Sequence, residues 1–301
     1  MERVKWQNDQ KNEEWVDACE QDFFCRLDHV AESLCRENRK LIRLSGPTCS
    51  GKTTAANLLI NRFAKQGKRL HLISIDDFYY DKEILHAMAT DPKSGKVDYD
   101  SVKTIDLPAL KTFVEEVFSK EQSRCPIFDF KEGRRVGYRA LESGADDVFV
   151  FEGIQAVYPE VTSLIESSGH DSVGVYIAPC RAIEIGDQVF EPNEIRLLRR
   201  LVRDYNFRGT SPDFTLSLWS GVRANEDEHI FPYASACTYR IDSTMPYEIG
   251  ILKPYLDRIL PSVPTDSPNR PVAEGILERI SGAQPISDRL IRSDSLYREF
   301  I

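Results

Sequence analysis

The stretch LIRLSGPTCSGKTT, residues 41–54, constrains this chain more than any other. An apolar run leads without a break into G-x-x-x-x-G-K-[ST]. Ala55, Leu58, Leu59 and Phe63 then mark an apolar helical stripe that stops at Gly67. Strand, glycine-rich loop and helix in that order form a cradle for phosphate, because the backbone N–H groups of the loop and of the helix N-terminus converge on one anion. The candidate ATP- and phosphate-binding residues of the loop are therefore Gly46, Ser50, Gly51, Lys52, Thr53 and Thr54. Lys52 brings a charge to the β and γ phosphates, and Thr53 offers its hydroxyl to Mg²⁺.

Around this loop, short β-like runs alternate with helical stretches. LIRL at 41–44, LISI at 72–75, VFVF at 148–151, VGVYI at 173–177 and CTYRI at 237–241 read as strands, and residues 245–260 read as a helix. The alternation predicts an α/β fold, a mainly parallel, buried sheet of the P-loop NTPase type flanked by helices. Ahead of it, Trp15, Val16, Cys19, Phe23, Leu27, Val30 and Leu34 recur at helical spacing, which predicts a peripheral amphipathic helix over 13–36. Behind it, SVPTDSPNRP reads as a loop before a helical piece around 272–281. The expected division is an N-terminal helical extension at 1–39, a P-loop domain at 40–262 with a lid at about 191–230, and a C-terminal tail with a helix at 263–301.

With 39 Lys and Arg against 48 Asp and Glu, the net charge of −9 argues against a nucleic-acid polymer as partner and requires a local basic site for any anion. Seven scattered cysteines fit reduced cytosolic thiols rather than a disulfide framework. No apolar window suits a signal or a membrane span, so the expected location is cytoplasmic.

The loop alone leaves switch, motor and small-molecule transfer open. No Asn is followed by Lys, so the guanine-reading N-K-x-D is missing. Two acids, Asp76 and Glu152, close apolar runs, and in an open parallel sheet the carboxyl ends of strands face the ligand crevice. One acid can accept the proton of an attacking hydroxyl while the other supports a metal, the division that phosphoryl transfer needs. Wound at about 100° per residue, Arg196, Arg199, Arg200 and Arg203 share one helix face, with Ile195, Leu198, Leu201, Val202 and Tyr205 opposite. That basic face is either solvated and ion-paired or a lid over phosphate.

In this order GPTCSGKTT, SIDDFYYD, PIFDF, FVFEGI and RLLRRLVRDYNFRG resemble the uridine kinase and phosphoribulokinase group, especially its uridine kinase-like nucleoside kinases, over roughly residues 40–260. TLSLWSGVRANEDEHIFPY, YEIGILKPYL and the terminal SDSLYREFI are similar to the longer bacterial-type members. The resemblance implies an ATP-dependent kinase that transfers the γ-phosphoryl group to a hydroxyl, foremost the 5′-hydroxyl of a ribonucleoside, with Mg²⁺. It makes Asp76 the catalytic base, with Lys52, Arg200 and Arg203 serving the transfer and Arg208 binding phosphate. Thr53, Glu152 and Asp76 become the metal residues. Asp100 becomes the ligand of the ribose hydroxyls, with Asp98 as a substitute and Arg200 beside the acceptor, while Tyr79, Phe128 and Trp219 are aromatic residues that could stack on or wall in a planar base.

The chain departs from the family pattern at three places. Thr210 replaces a lid arginine, Gly133 stands where pyrimidine-specific members place a base-reading histidine, and Leu218-Trp219 replaces Gln-Tyr. A same-fold kinase for a non-nucleoside hydroxyl and a non-catalytic ATP-binding module are the alternative readings, and homo-oligomerisation stays open.

Overall fold

The computed structural model describes residues 2–6, 12–90 and 98–301. Its first half runs β1 (Arg3–Lys5), α1 (Asn12–Arg36), β2 (Leu41–Ser45), α2 (Lys52–Lys65), β3 (Leu70–Ser74), α3 (Lys82–Ala89) and α4 (Leu107–Ser119). There follow β4 (Gln122–Asp129), β5 (Arg134–Glu142), β6 (Val148–Glu152), α5 (Pro159–Glu166), β7 (Ser172–Ala178), β8 (Ala182–Ile185) and β9 (Gln188–Phe190). The chain ends with α6 (Pro192–Arg208), α7 (Pro212–His229), α8 (Phe231–Ala234), β10 (Tyr239–Asp242), α9 (Glu248–Ile259) and α10 (Arg270–Ile280).

Because LIRLS and VFVF are buried at every position, they need cover on both faces, and a parallel sheet between helical layers supplies it. Five strands form that sheet in the order β10-β7-β2-β6-β3, every pairing parallel. Strand alternation divides the core in two. Ile42, Leu44, Val148 and Val150 face a layer containing Phe23, Leu27, Leu59, Leu198 and Leu256. Leu41, Phe149 and Phe151 face a layer containing Phe78, Phe113 and Val161. The stripe of α1 is buried from Trp15 to Leu34 as its periodicity predicts, and it packs on α2. Leu296, Tyr297 and Phe300 near the C-terminus belong to the same apolar cluster.

Register positions the site. Leu44 of β2 and Ser74 of β3 both pair with Glu152 of β6, so these three strands end level, and the loops after them share one edge. The sheet order turns back across β2, which has β6 on one side and β7 on the other, and such a switch point opens a crevice at the carboxyl ends. The strand expected at 72–75 stops at Ser74, and Ile75–Phe78 form a single 3₁₀ turn. Two smaller sheets fall outside the expected alternation: the antiparallel hairpin β4–β5, and β1 beside β8 and β9. Among the described residues no helix is long and apolar enough to cross a membrane.

Candidate active site

The loop between β2 and α2 is built by close approach. A Cβ at Gly46 would lie 2.1 Å from the Ile177 carbonyl oxygen, and one at Gly51 would lie 1.9 Å from Leu296 Cδ1. Gly51 also has φ +92°, and Cys49 adopts φ +56°, a left-handed conformation that costs a non-glycine residue on the order of 1 kcal/mol or more. The first turn of α2 carries no acid, and Gly51 offers no capping side chain. The Ser50 hydroxyl is buried with no partner among the described residues. Lys52 folds its ammonium back onto the loop, donating to the carbonyls of Gly46 at 2.9 Å and Pro47 at 3.1 Å. Thr53 is exposed, while the Thr54 hydroxyl donates to Glu299 Oε2 at 3.1 Å. Uncapped N–H groups, an orphaned hydroxyl and an ammonium bound only to carbonyls suit a phosphate chain.

Asp76 sits in the 3₁₀ turn after β3, and Glu152 is the last residue of β6. Burial pushes the Asp76 carboxyl up to about 6, with Lys52 opposing the rise and Asp100 adding to it. Burial likewise raises Glu152 to about 7, again opposed by Lys52 and reinforced by Asp76 and Glu299. The two acids and the lysine form one electrostatic unit. Asp77 turns elsewhere: it accepts the Phe128 N–H at 3.2 Å and pairs with Arg139 at 3.4 Å, which pins the hairpin to the sheet. Asp98 is also engaged, accepting from Asn225 Nδ2 at 2.9 Å and from the Asp100 N–H at 3.1 Å. The Asp100 carboxyl, raised by burial, feels Asp98 and the opposing charge of Arg200.

Among the described residues no three His, Cys, Asp or Glu side chains gather as a metal centre. Two carboxylates and the Thr53 hydroxyl could instead hold a hard cation that brings phosphate oxygens and water as its remaining ligands, which is how Mg²⁺ commonly binds.

The arginine helix differs from the helical wheel. Arg196 and Arg199 are 3% and 0% exposed, so half of the supposed basic face is interior, whereas Tyr205, expected on the apolar side, is exposed. Arg196 forks onto Glu226 of α7, at 2.7 Å for one arm, reaches the Thr48 carbonyl at 3.2 Å and lies against Trp219. Arg199 pairs with Glu248 of α9 at 2.8 Å and donates to the carbonyls of Ser243 at 2.7 Å and Cys49 at 3.3 Å. Tyr297 and Phe300 cover its guanidinium. Both buried arginines thus hold the phosphate loop by its carbonyls. The wheel fails because α6 is packed against both α7 and α9, so flanking helices cover the basic face.

Arg200, Arg203 and Arg208 gather instead on Asp204, at 3.2, 2.7 and 3.7 Å. Three cations on one carboxylate leave a net positive cluster, which suits an anion. Asp204, Glu226 and Glu248 were not singled out in the sequence. Only Asp204 carried a readable signal, four residues from both Arg200 and Arg208.

A β-bulge between Ile127 and Phe128 interrupts the register of the hairpin. Phe128 packs edge-on against Tyr79, with ring centroids 5.7 Å apart, and beside the exposed Phe130. The Tyr79 hydroxyl is already used, donating to the Tyr99 carbonyl at 3.0 Å and accepting from Gln155 at 2.9 Å, so Tyr79 contributes a ring and not a free polar group. Gly133, at φ +66°, closes the hairpin turn against Lys82, and Leu218 is exposed on α7.

The model of the "Phosphoribulokinase / Uridine kinase family" matches residues 41–246. The uridine kinase of Ureaplasma urealyticum serovar 10 is 25% identical over 193 residues, 64% of this chain and 82% of that protein. The uridine kinase of Clostridium novyi is 27% identical over 183 residues, 60% of this chain and 76% of its own. The solved structure of the YGR205w protein superposes with a TM-score of 0.50 at 16% identity, over 70% of this chain and 89% of that one, a likeness of fold.

Proposed function

The chain belongs to the phosphoribulokinase and uridine kinase family and is a kinase with an alcohol group as acceptor, and on that premise we propose that the acceptor is the 5′-hydroxyl of a ribonucleoside. The observation that carries this reading is the placement of Asp100. Asp98 accepts from Asn225 and from the Asp100 N–H, Asn225 also supports the Asp100 carboxyl, and of the two it is Asp100 whose charge is coupled to both Asp76 and Arg200. A carboxylate beside the candidate base and the arginine cluster suits a vicinal diol next to the reacting hydroxyl. The similarity to uridine kinases supports the same class.

In this reading Lys52 leaves the loop carbonyls for the β and γ phosphates of ATP, and the loop N–H groups with Ser50 and Thr54 hold the phosphate chain. Thr53, Glu152 and Asp76 would hold Mg²⁺, which would supply positive charge against the phosphates. Asp76 accepts the proton of the attacking hydroxyl. Arg200 and Arg203, released from Asp204, face the transferring group, Arg208 reaches the phosphate chain, and α6 and α7 form the lid of a kinase domain spanning 40–262. The acceptor's planar part lies against Phe128 and Tyr79. Gly133 and Leu218 supply no hydrogen bond to a base, which favours broad base preference; the same fact is what a non-nucleoside acceptor would predict.

Product analysis after incubating the protein with Mg²⁺-ATP and a panel of nucleosides and other small alcohols decides the matter. Nucleoside 5′-monophosphates are expected. Turnover confined to a non-nucleoside alcohol would overturn the acceptor while keeping the kinase.

A further inference from the structure

We propose that residues 295–301 form one wall of the nucleotide site and that Glu299 in this wall weakens the binding of the triphosphate. The inference rests on reading residues 46–54 as that site. Leu296 lies over Gly51 so closely that the glycine has no room for a Cβ. Leu296, Tyr297 and Phe300 are fully buried, and the Tyr297 hydroxyl donates to Glu248. Both rings cover Arg199, which in turn holds the Cys49 carbonyl. Asn206 of α6 adds a bond to the Phe300 carbonyl at 3.4 Å.

The residues on either side of Glu299 are therefore tied down: Tyr297 two before it and Phe300 directly after it. Its carboxylate accepts the Thr54 hydroxyl at 3.1 Å, in the uncapped first turn of α2. Its charge is felt by both Glu152 and Arg203. An anion thus already occupies a donor that the phosphate chain needs. A phosphate oxygen that takes the Thr54 hydroxyl must displace Glu299 and then sit near a carboxylate that its anchored neighbours keep close. Repulsion between like charges at such range, partly out of water, is enough to set affinity.

The test is calorimetric titration of the full chain with Mg²⁺-ATP, comparing wild type with Glu299→Gln and Glu299→Ala. Both variants should bind about three- to tenfold more tightly, and the advantage should shrink as ionic strength rises. Equal or weaker binding by Glu299→Gln, with thermal unfolding as in wild type, would overturn the proposal and make the segment a plain support. Wild type that fails to bind Mg²⁺-ATP would overturn the nucleotide-site reading itself, and this inference with it.

Discussion

Replacing Asp76 by Asn should stabilise the unliganded protein and disable it at once. The carboxyl rises from an ordinary 3.8 to about 6, because burial disfavours its charge more than Lys52 favours it. The folded state therefore holds this proton more tightly than the unfolded chain does. Stability tied to the group is fully present below pH 3.8 and is lost as pH rises through about 6. A rise of that size corresponds to about 3 kcal/mol if fully realised, and the partial exposure of Asp76 lowers the expectation to about 1 to 2 kcal/mol. Asn is nearly isosteric and uncharged, so it removes this cost and the repulsion with Glu152. In a protein of this size the melting temperature should climb by roughly 2 to 8 °C at pH 8, and by nothing at pH 3. Turnover should fall about 10²- to 10⁴-fold, equivalent to roughly 2.7 to 5.5 kcal/mol of barrier. Scanning calorimetry from pH 3 to 9, with phosphotransfer measured on the same samples, reads both effects. A variant that melts lower at pH 8, or turns over at the wild-type rate, would refute a buried, costly base.

Lys52→Ala should weaken Mg²⁺-ATP binding and abolish transfer without unfolding the chain, because its ammonium is tied only to the loop's own carbonyls; unchanged affinity by calorimetry would count against the phosphate assignment. Arg199→Met leaves Glu248 buried and unpaired, so urea denaturation should report a loss of about 3 to 5 kcal/mol, and the double variant Arg199→Met with Glu248→Leu should recover part of it. Where both fold, the loop has lost its hold on the Cys49 carbonyl, so KM for ATP should rise while KM for the acceptor does not. Ribonucleosides should exceed their deoxy forms in kcat/KM by about 1 to 3 kcal/mol, since a missing sugar hydroxyl leaves Asp100 under-satisfied; parity in paired competition assays would reject the diol contact.

Several features of this protein are dictated by short stretches of chain. G-x-x-x-x-G-K-T needs only the backbone freedom of Gly46 and Gly51 and the side chain of Lys52, all within one loop. The burial of α1 follows from an apolar stripe that repeats every turn, and Asp76 and Glu152 come to one edge of the sheet because β3 and β6 end level, Glu152 as the last residue of β6 and Asp76 two residues beyond β3. Each is a local rule, carried by spacing or by the level ends of neighbouring strands. Tertiary structure decided the rest. The helical wheel treats Arg196, Arg199, Arg200 and Arg203 alike, yet Glu226 and Glu248 arrive from α7 and α9 and take the first two inside, while Asp204 gathers the others. The hairpin β4–β5 brings Phe128 to Tyr79, and Glu299 meets Thr54 across 245 residues of sequence. No periodicity encodes such meetings: whether a charged side chain is paired, buried or free to bind an anion depends on which distant surface closes over it, and that is settled only when the layers pack.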